Sequence, residues 1–153
     1  MTSDSHSTAD AELYGPRIAA FIAIYGEVPP LWAYAPRIHP MSIYWRMGTG
    51  EDHAYLYNAW AVGLTWSIDE RIAYVRRWDP PFSWLESVAY FLWPEDFSDS
   101  ELEPTDEHFA RMHELGFGSR LDWERCFDVK PEDYPLPDDV SSAWLETNAL
   151  LPR

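Results

Sequence analysis

Residues 67–94 read SIDERIAYVRRWDPPFSWLESVAYFLWP, and this stretch decides the fold. Ser67 and Glu70 stand three residues apart at its start, which is the spacing of a capping box. In that motif each side chain accepts a hydrogen bond from the other residue's backbone N–H. The pattern predicts a helix that begins directly after Ser67 and ends near Trp78.

Two consecutive prolines, Pro80 and Pro81, separate this helix from a second one. Aspartate is a preferred N-cap and proline is favoured at the first helical position, so we expect Asp79 to cap the second helix and Pro80 to begin it. Its apolar stripe falls at helical spacing before Pro94 and consists of Leu85, Val88, Ala89 and Leu92.

Apolar residues at helical spacing predict two more helices upstream, one from Pro16 to Gly26 and one that starts near Glu51. Between them, the prolines of residues 27–48 remove backbone donors and favour extended conformations, which predicts an ordered loop. Residues 41–47 fit either a strand, by alternation, or a short helix that begins at Pro40. The short helix is favoured.

Three helix signals follow Pro94. Thr105 is placed to cap a helix that ends at Gly116, and Phe117 fits the apolar contact of a Schellman motif. Ser119 opens a short helix, and residues 140–150 form a terminal helix with Val140, Trp144 and Leu145 as its apolar residues. The core is expected to contain Tyr57, Trp60, Leu64, Ile72, Val75, Leu85, Val88, Leu92 and Trp144.

These signals predict an all-α protein with five to seven helices and a Pro-rich ordered loop region over 27–48. Residues 1–10 are expected to be a flexible N-terminus, and residues 11–153 a single compact domain, because no Gly/Ser-rich linker divides them. Within that domain, residues 29–93 form an aromatic-rich half and residues 94–153 an acidic half.

Charge is unevenly distributed along the chain. The net charge is −15, of which −11 falls on residues 94–153 and only −1 on residues 29–93, while the latter hold seven of the nine Trp. A protein this acidic repels phosphate, which argues against direct nucleic-acid binding. The scarcity of lysine is attributed to a GC-rich genome and hints at a bacterial source.

The single cysteine, Cys126, excludes an internal disulfide and makes a thiolate metal site improbable. Residues 1–10 lack the pattern of a signal peptide, and the longest uncharged helical run is too short to span a bilayer. A cytoplasmic protein without a membrane span is expected. No metal site and no cofactor are predicted, and the oligomeric state is left open.

No phosphate-binding, dinucleotide-binding, hydrolase or metalloprotease motif is present. A polar cluster around the Pro-rich region nevertheless suggests one possible site. If the protein is an enzyme or a ligand-binding domain, His39, His53 and Glu51 are its acid–base candidates, because a histidine beside carboxylates titrates at useful pH. Arg37 and Arg46 would bind an anion. Trp32 and Trp45, with Tyr34 and Tyr44, are expected to be exposed, and the two Trp rings would stack on the ligand.

The acids of residues 95–107 suggest the other possible site. Such a run is either a solubilising face or a docking surface for a basic partner, with Glu101, Glu103, Asp106 and Glu107 as contact residues. The leading hypothesis is a small binding or inhibitory protein that engages a basic protein such as a toxin nuclease, as an immunity protein or DNA mimic does. The alternatives are the enzyme or ligand-binding domain at residues 32–53 and an interaction module that uses exposed loop aromatics.

Overall fold

The computed structural model describes residues 3–35, 38–99 and 101–128, with side chains from Glu12 onward. Seven α-helices and three short 3-10 helices occupy this part of the chain, and no strand occurs in it, which confirms the all-α prediction. The predicted helix over 140–150, with Trp144, lies outside the described residues.

The α-helices differ widely in length. They are α1 (Ser3–Tyr25), α2 (Leu31–Tyr34), α3 (Gly48–Val62), α4 (Ile68–Arg77), α5 (Leu85–Leu92), α6 (Asp106–Glu114) and α7 (Arg120–Arg125). The 3-10 helices cover Ile43–Arg46, Phe82–Trp84 and Pro94–Phe97. Contacts group the described chain into two units, and the boundary between them in the sequence falls between Thr65 and Trp66. The single domain expected over 11–153 stays a prediction.

Helix α1 begins at Ser3, so its predicted start at Pro16 is wrong. Residues 9–13, ADAEL, are mostly good helix formers, and Pro16 lies inside the helix, where it removes one backbone hydrogen bond without ending it. The helix stops at Gly26, which has φ 79°. The expectation that residues 1–10 are flexible stays a prediction.

Helix α3 is central to the first unit, where it packs against α1, α2 and the 3-10 helix Ile43–Arg46. It begins at Gly48, three residues before the predicted start at Glu51. Its buried side is formed by Gly50, His53, Leu56 and Trp60, which recur at helical spacing. Gly50 has no room for a side chain, because a Cβ there would overlap the Tyr44 carbonyl and lie 2.6 Å from the Tyr44 ring.

The segment 41–47 contains a short helix, the 3-10 helix Ile43–Arg46, but it begins at Ile43 and not at Pro40 as predicted. Ser42 caps it: the side-chain oxygen accepts a hydrogen bond from the Tyr44 backbone N–H at 3.2 Å.

The second unit begins with the predicted capping box. The Glu70 N–H donates to Ser67 Oγ at 3.2 Å, and the Ser67 N–H donates to Glu70 Oε1 at 3.4 Å. The predicted start of the following helix is wrong. Pro81 forces Pro80 into an extended conformation, so helical structure begins only with the 3-10 helix Phe82–Trp84, and Asp79 caps nothing.

Local signals are also confirmed in the last part of the described chain. Helix α6 ends in a Schellman motif, in which the Phe117 N–H donates to the Met112 carbonyl and the Gly116 N–H to the His113 carbonyl, both at 3.0 Å. Ser119 caps α7 and forms a capping box with Asp122.

Most of the predicted core is buried. Trp60, Val75, Leu85, Val88 and Leu92 are buried, whereas Tyr57, Leu64 and Ile72 are half-buried. Among the described residues, no helix combines the length and apolar character that a transmembrane span requires.

Candidate functional site

His53 is sealed inside the first unit. It projects from the buried side of α3 and is 0 % exposed. Its imidazole stacks on the Tyr34 ring, with centroids 3.8 Å apart, and Phe21 of α1 meets its edge at 5.6 Å. Three helices therefore enclose this one histidine.

The hydrogen bond of His53 fixes its tautomer, and burial keeps the ring neutral. Its Nε2 lies 2.9 Å from the Pro29 carbonyl oxygen, which can only accept, so Nε2 carries the proton and donates it. The other nitrogen, Nδ1, is buried without a hydrogen-bond partner. Burial lowers the pKa of His53 to about 4, against an opposing effect of the hydrogen bond to Pro29.

Asp52, the residue before His53 in α3, forms an ion pair with Arg17 of α1. Arg17 lowers the pKa of His53 further, and Asp52 opposes that effect. Burial also disfavours the charged form of Tyr34, and it therefore raises the pKa of the Tyr34 phenol. Both ring systems are thus neutral at physiological pH, and the His53 side chain has no surface that a substrate could contact in this conformation.

The other acid–base candidates do not join His53. His39 is half-buried and binds locally: its Nδ1 accepts a hydrogen bond from the Met41 N–H at 3.1 Å. Glu51 lies in the first turn of α3, where a carboxylate complements the helix dipole. Since Nδ1 of His53 has no partner and Nε2 contacts Pro29, neither His39 nor Glu51 is hydrogen-bonded to it.

Of the two arginines predicted to bind an anion, Arg46 is exposed and forms no ion pair with a described residue. Arg37 lies outside the described residues.

The expected exposure of Trp32 and Trp45 is wrong, as it is for Tyr34 and Tyr44: Trp32 is 4 % exposed and Trp45 is 8 % exposed. Trp45 also donates its indole N–H to the His39 carbonyl at 3.2 Å. Tertiary packing against α3 and its neighbours places these aromatics inside.

Aliphatic side chains are exposed in place of the aromatic ones. Met41, Ile43 and Met47 are 51 %, 64 % and 59 % exposed. The strand-like alternation in the sequence also included Trp45, which is buried, so it did not indicate which side chains would face solvent.

The acidic residues of positions 95–107 fall into two groups. In the first group, the side chain of an Arg or a His bonds each carboxylate. Asp106 pairs with Arg120, and Glu107 pairs with Arg111 at 2.9 Å. Arg120 also holds Glu124 at 3.0 Å, and these carboxylates raise the pKa of the guanidinium.

Asp96 belongs to the same group through His108. The His108 Nε2 lies 2.9 Å from Asp96 Oδ2, and its Nδ1 accepts from the Thr105 N–H at 3.0 Å. His108 takes the place of the usual Glu in a capping box and joins the segment Pro94–Phe97 to the start of α6.

The second group has no cationic partner. Glu95, Asp99, Glu101 and Glu103 are exposed, and no described Arg, Lys or His lies within ion-pair distance of them. Leu102, between Glu101 and Glu103, is also exposed. The predicted contact residues thus divide: Glu101 and Glu103 present uncompensated charge, whereas Asp106 and Glu107 are each paired.

The sequence prediction missed the buried Arg71 of α4. Its Nη1 donates to the Phe91 carbonyl at 2.9 Å, and the guanidinium lies 5.1 Å from the centroid of the Phe91 ring. The Phe91 carbonyl belongs to the last turn of α5, where backbone acceptors lack helical partners. One available signal was the apolar spacing, which places Arg71 on the same side of α4 as the buried Val75.

No group of three potential metal-ligating side chains occurs among the described residues. Comparison with known proteins adds no relative: no family model matches the sequence, and no curated protein or solved structure is significantly similar to it.

Proposed function

We propose that this protein binds a basic protein partner through the acidic surface of its second unit, formed by Glu95, Asp99, Glu101 and Glu103 around Leu102. The observation that carries the proposal is the lack of cationic partners: these four carboxylates are exposed and form no ion pair with a described residue, although Asp106 and Glu107 nearby in sequence pair with arginines. The charge of these four carboxylates is therefore not offset by a described cationic side chain.

Such a surface favours encounter with a positively charged protein. Unpaired carboxylates attract a basic partner over roughly the Debye length, about 8 Å at physiological ionic strength, and orient it before contact. Leu102, which is exposed and lies between Glu101 and Glu103 in the sequence, adds an apolar side chain, and interfaces commonly combine apolar contacts with a polar rim. Asp106 and Glu107, already paired, contribute less to the field.

The specific form of the proposal is an inhibitor of a basic nuclease, of the immunity-protein or DNA-mimic type. A nuclease must present cations to phosphates, and carboxylates on a rigid surface can occupy those cations. Pro94 and Pro104 bound the acidic segment and limit its conformations. The geometry at His53 supports a binding role over a catalytic one at residues 32–53, since that imidazole is 0 % exposed.

Co-purification from the source organism at low ionic strength, followed by stopped-flow association with the partner obtained, tests the proposal. Glu101→Gln with Glu103→Gln should lower the association rate about fivefold or more at low salt and flatten its salt dependence, while the dissociation rate changes little. The matched control is Asp69→Asn with Glu114→Gln, which removes the same charge from exposed acids elsewhere in the second unit.

The two outcomes are distinct. A larger effect of the Glu101 and Glu103 pair than of the control supports docking at this surface. Equal rates for the two variants would make these acids a solubilising surface and overturn the proposal.

A further inference from the structure

His108 of α6 binds both ends of the acidic segment with one side chain. Its Nδ1 accepts a hydrogen bond from the Thr105 N–H at 3.0 Å, and this backbone group can only donate. The ring proton of the neutral imidazole therefore lies on Nε2, which is 2.9 Å from Asp96 Oδ2. One imidazole thus joins two points that are nine residues apart in the sequence.

Aromatic packing holds the imidazole in this place. The centroid of the His108 ring lies 5.5 Å from that of Trp93 and 4.9 Å from that of Phe97. Trp93 directly precedes the 3-10 helix Pro94–Phe97, and Phe97 is its last residue. The Phe97 ring in turn contacts Tyr90 of α5, with 4.7 Å between ring centroids. Only 12 % of the His108 side chain is exposed, so packing and hydrogen bonds together fix its position.

We infer that His108 is a positioning residue for the acidic docking surface. Through Asp96 and Thr105 it closes the segment between them into one conformation, and the binding of a basic partner depends on that closure. The inference rests on the proposed function and names the residue that organises its site. His108 itself does not contact the partner.

The physical basis is preorganisation. An open segment loses conformational entropy when a partner binds, whereas a closed one has already lost it in folding. Asp99 restricts the segment further, since its side chain accepts from the Glu101 N–H at 3.0 Å and its carbonyl from the Leu102 N–H at 3.1 Å. Glu101 and Glu103 form no ion pair with a described residue that could fix them instead. Loss of the closure should therefore speed dissociation of a bound partner more than it slows association.

Two substitutions at Asp96 separate the hydrogen bond from the charge. Asp96→Asn and Asp96→Ala remove the same charge, but only asparagine keeps an oxygen that can accept from His108 Nε2. Backbone 15N relaxation at residues 101–103 should give order parameters of about 0.85 for Asp96→Asn and below about 0.6 for Asp96→Ala, the values of rigid and flexible backbone. The matched control pair is Glu95→Gln and Glu95→Ala, which should not differ, because Glu95 is exposed and forms no ion pair with a described residue.

Binding to pancreatic ribonuclease A, a rigid basic nuclease, is the second measurement. At low ionic strength this probe should dissociate about threefold faster from Asp96→Ala than from Asp96→Asn. Equal order parameters in the two Asp96 variants would overturn the inference. So would order parameters that differ while ribonuclease A dissociates equally fast from both variants or binds neither. A failure of the proposed function is distinguishable, because Glu101→Gln with Glu103→Gln would then leave the binding of ribonuclease A unchanged.

Discussion

The imidazole of His53 lies parallel to the phenol ring of Tyr34, with 3.8 Å between ring centroids and 2° between ring planes. Because His53 belongs to α3 and Tyr34 to α2, the stack joins these two helices. His53 Nε2 also donates a hydrogen bond to the carbonyl of Pro29, which lies two residues before the start of α2. A charge on this ring would have no acceptor at Nδ1 and would lie near Arg17.

The first prediction is that acid destabilises the protein through His53. Its pKa is about 4 in the folded state and about 6.5 in the unfolded state, so only the unfolded state takes up the proton between these values. The contribution of neutral His53 to the free energy of unfolding is fully present above pH 6.5. It decreases as the pH falls toward 4, by about 3 kcal/mol in all. Urea unfolding at pH 7 and pH 4.5 measures it.

His53→Gln provides the comparison, because it keeps a donor and cannot titrate in this range. The free energy of unfolding of this variant should depend less on pH than that of the wild type between pH 6.5 and 4.5. Identical pH profiles of the two proteins would show that His53 is accessible to protons in the folded state.

The second prediction concerns Gly50. Gly50→Ala places a Cβ against the Tyr44 carbonyl and ring, and the expected cost is about 2 kcal/mol or more, as for other overpacked sites. Gly63→Ala is the matched control: its nearest neighbour would be 3.7 Å away, and its φ of −82° suits any residue. Denaturant midpoints should fall for the first variant and stay or rise slightly for the second.

The third prediction is that Arg71 stabilises the second unit. Arg71→Met keeps most of the apolar stem but leaves the Phe91 carbonyl without its charged donor, at a cost of about 2–3 kcal/mol. Arg76→Met is the control, because Arg76 is exposed and its guanidinium lies 5.7 Å from the Phe117 ring centroid, a contact worth about 1 kcal/mol or less. Similar unfolding free energies for the two variants would contradict a special role for Arg71.

The fourth prediction separates the paired acids from the unpaired ones. Glu101→Gln with Glu103→Gln should leave the melting temperature unchanged or raise it slightly, because mutual repulsion among these carboxylates decreases. Asp106→Asn should lower it, because Arg120 loses a partner. Thermal unfolding at 20 mM and 500 mM salt checks both effects, which should shrink as screening increases. A loss of stability on removing Glu101 and Glu103 would indicate a structural role for them.

Local signals predicted much of the fold. The capping box at Ser67, the helix start at Ser119 and the Schellman motif at Gly116 depend only on neighbouring residues, so their sequence patterns were sufficient. The wrong start at Asp79 had a local cause that the prediction overlooked, since Pro81 restrains Pro80.

The candidate sites could not be predicted to the same extent, because their side-chain environments depend on contacts between residues that are distant in the sequence. Trp32 and Trp45 are buried because other elements pack over them, and nothing in a Pro-rich loop indicates that. The partners of Asp106 and Asp96 are 14 and 12 residues away, so composition alone could not separate the acids that have a side-chain partner from those that have none. Whether Glu101 and Glu103 contact a partner stays a prediction.

The contact between Tyr44 and Gly50 has an evolutionary consequence. A substitution at position 50 is tolerated only if the Tyr44 backbone moves, so any protein that keeps this backbone requires glycine there whichever side chain position 44 carries. His53 follows three residues later on the same side of α3. The spacing Ser-x-Tyr-x5-Gly-x2-His over positions 42–53 is therefore a pattern by which proteins with the same packing can be sought.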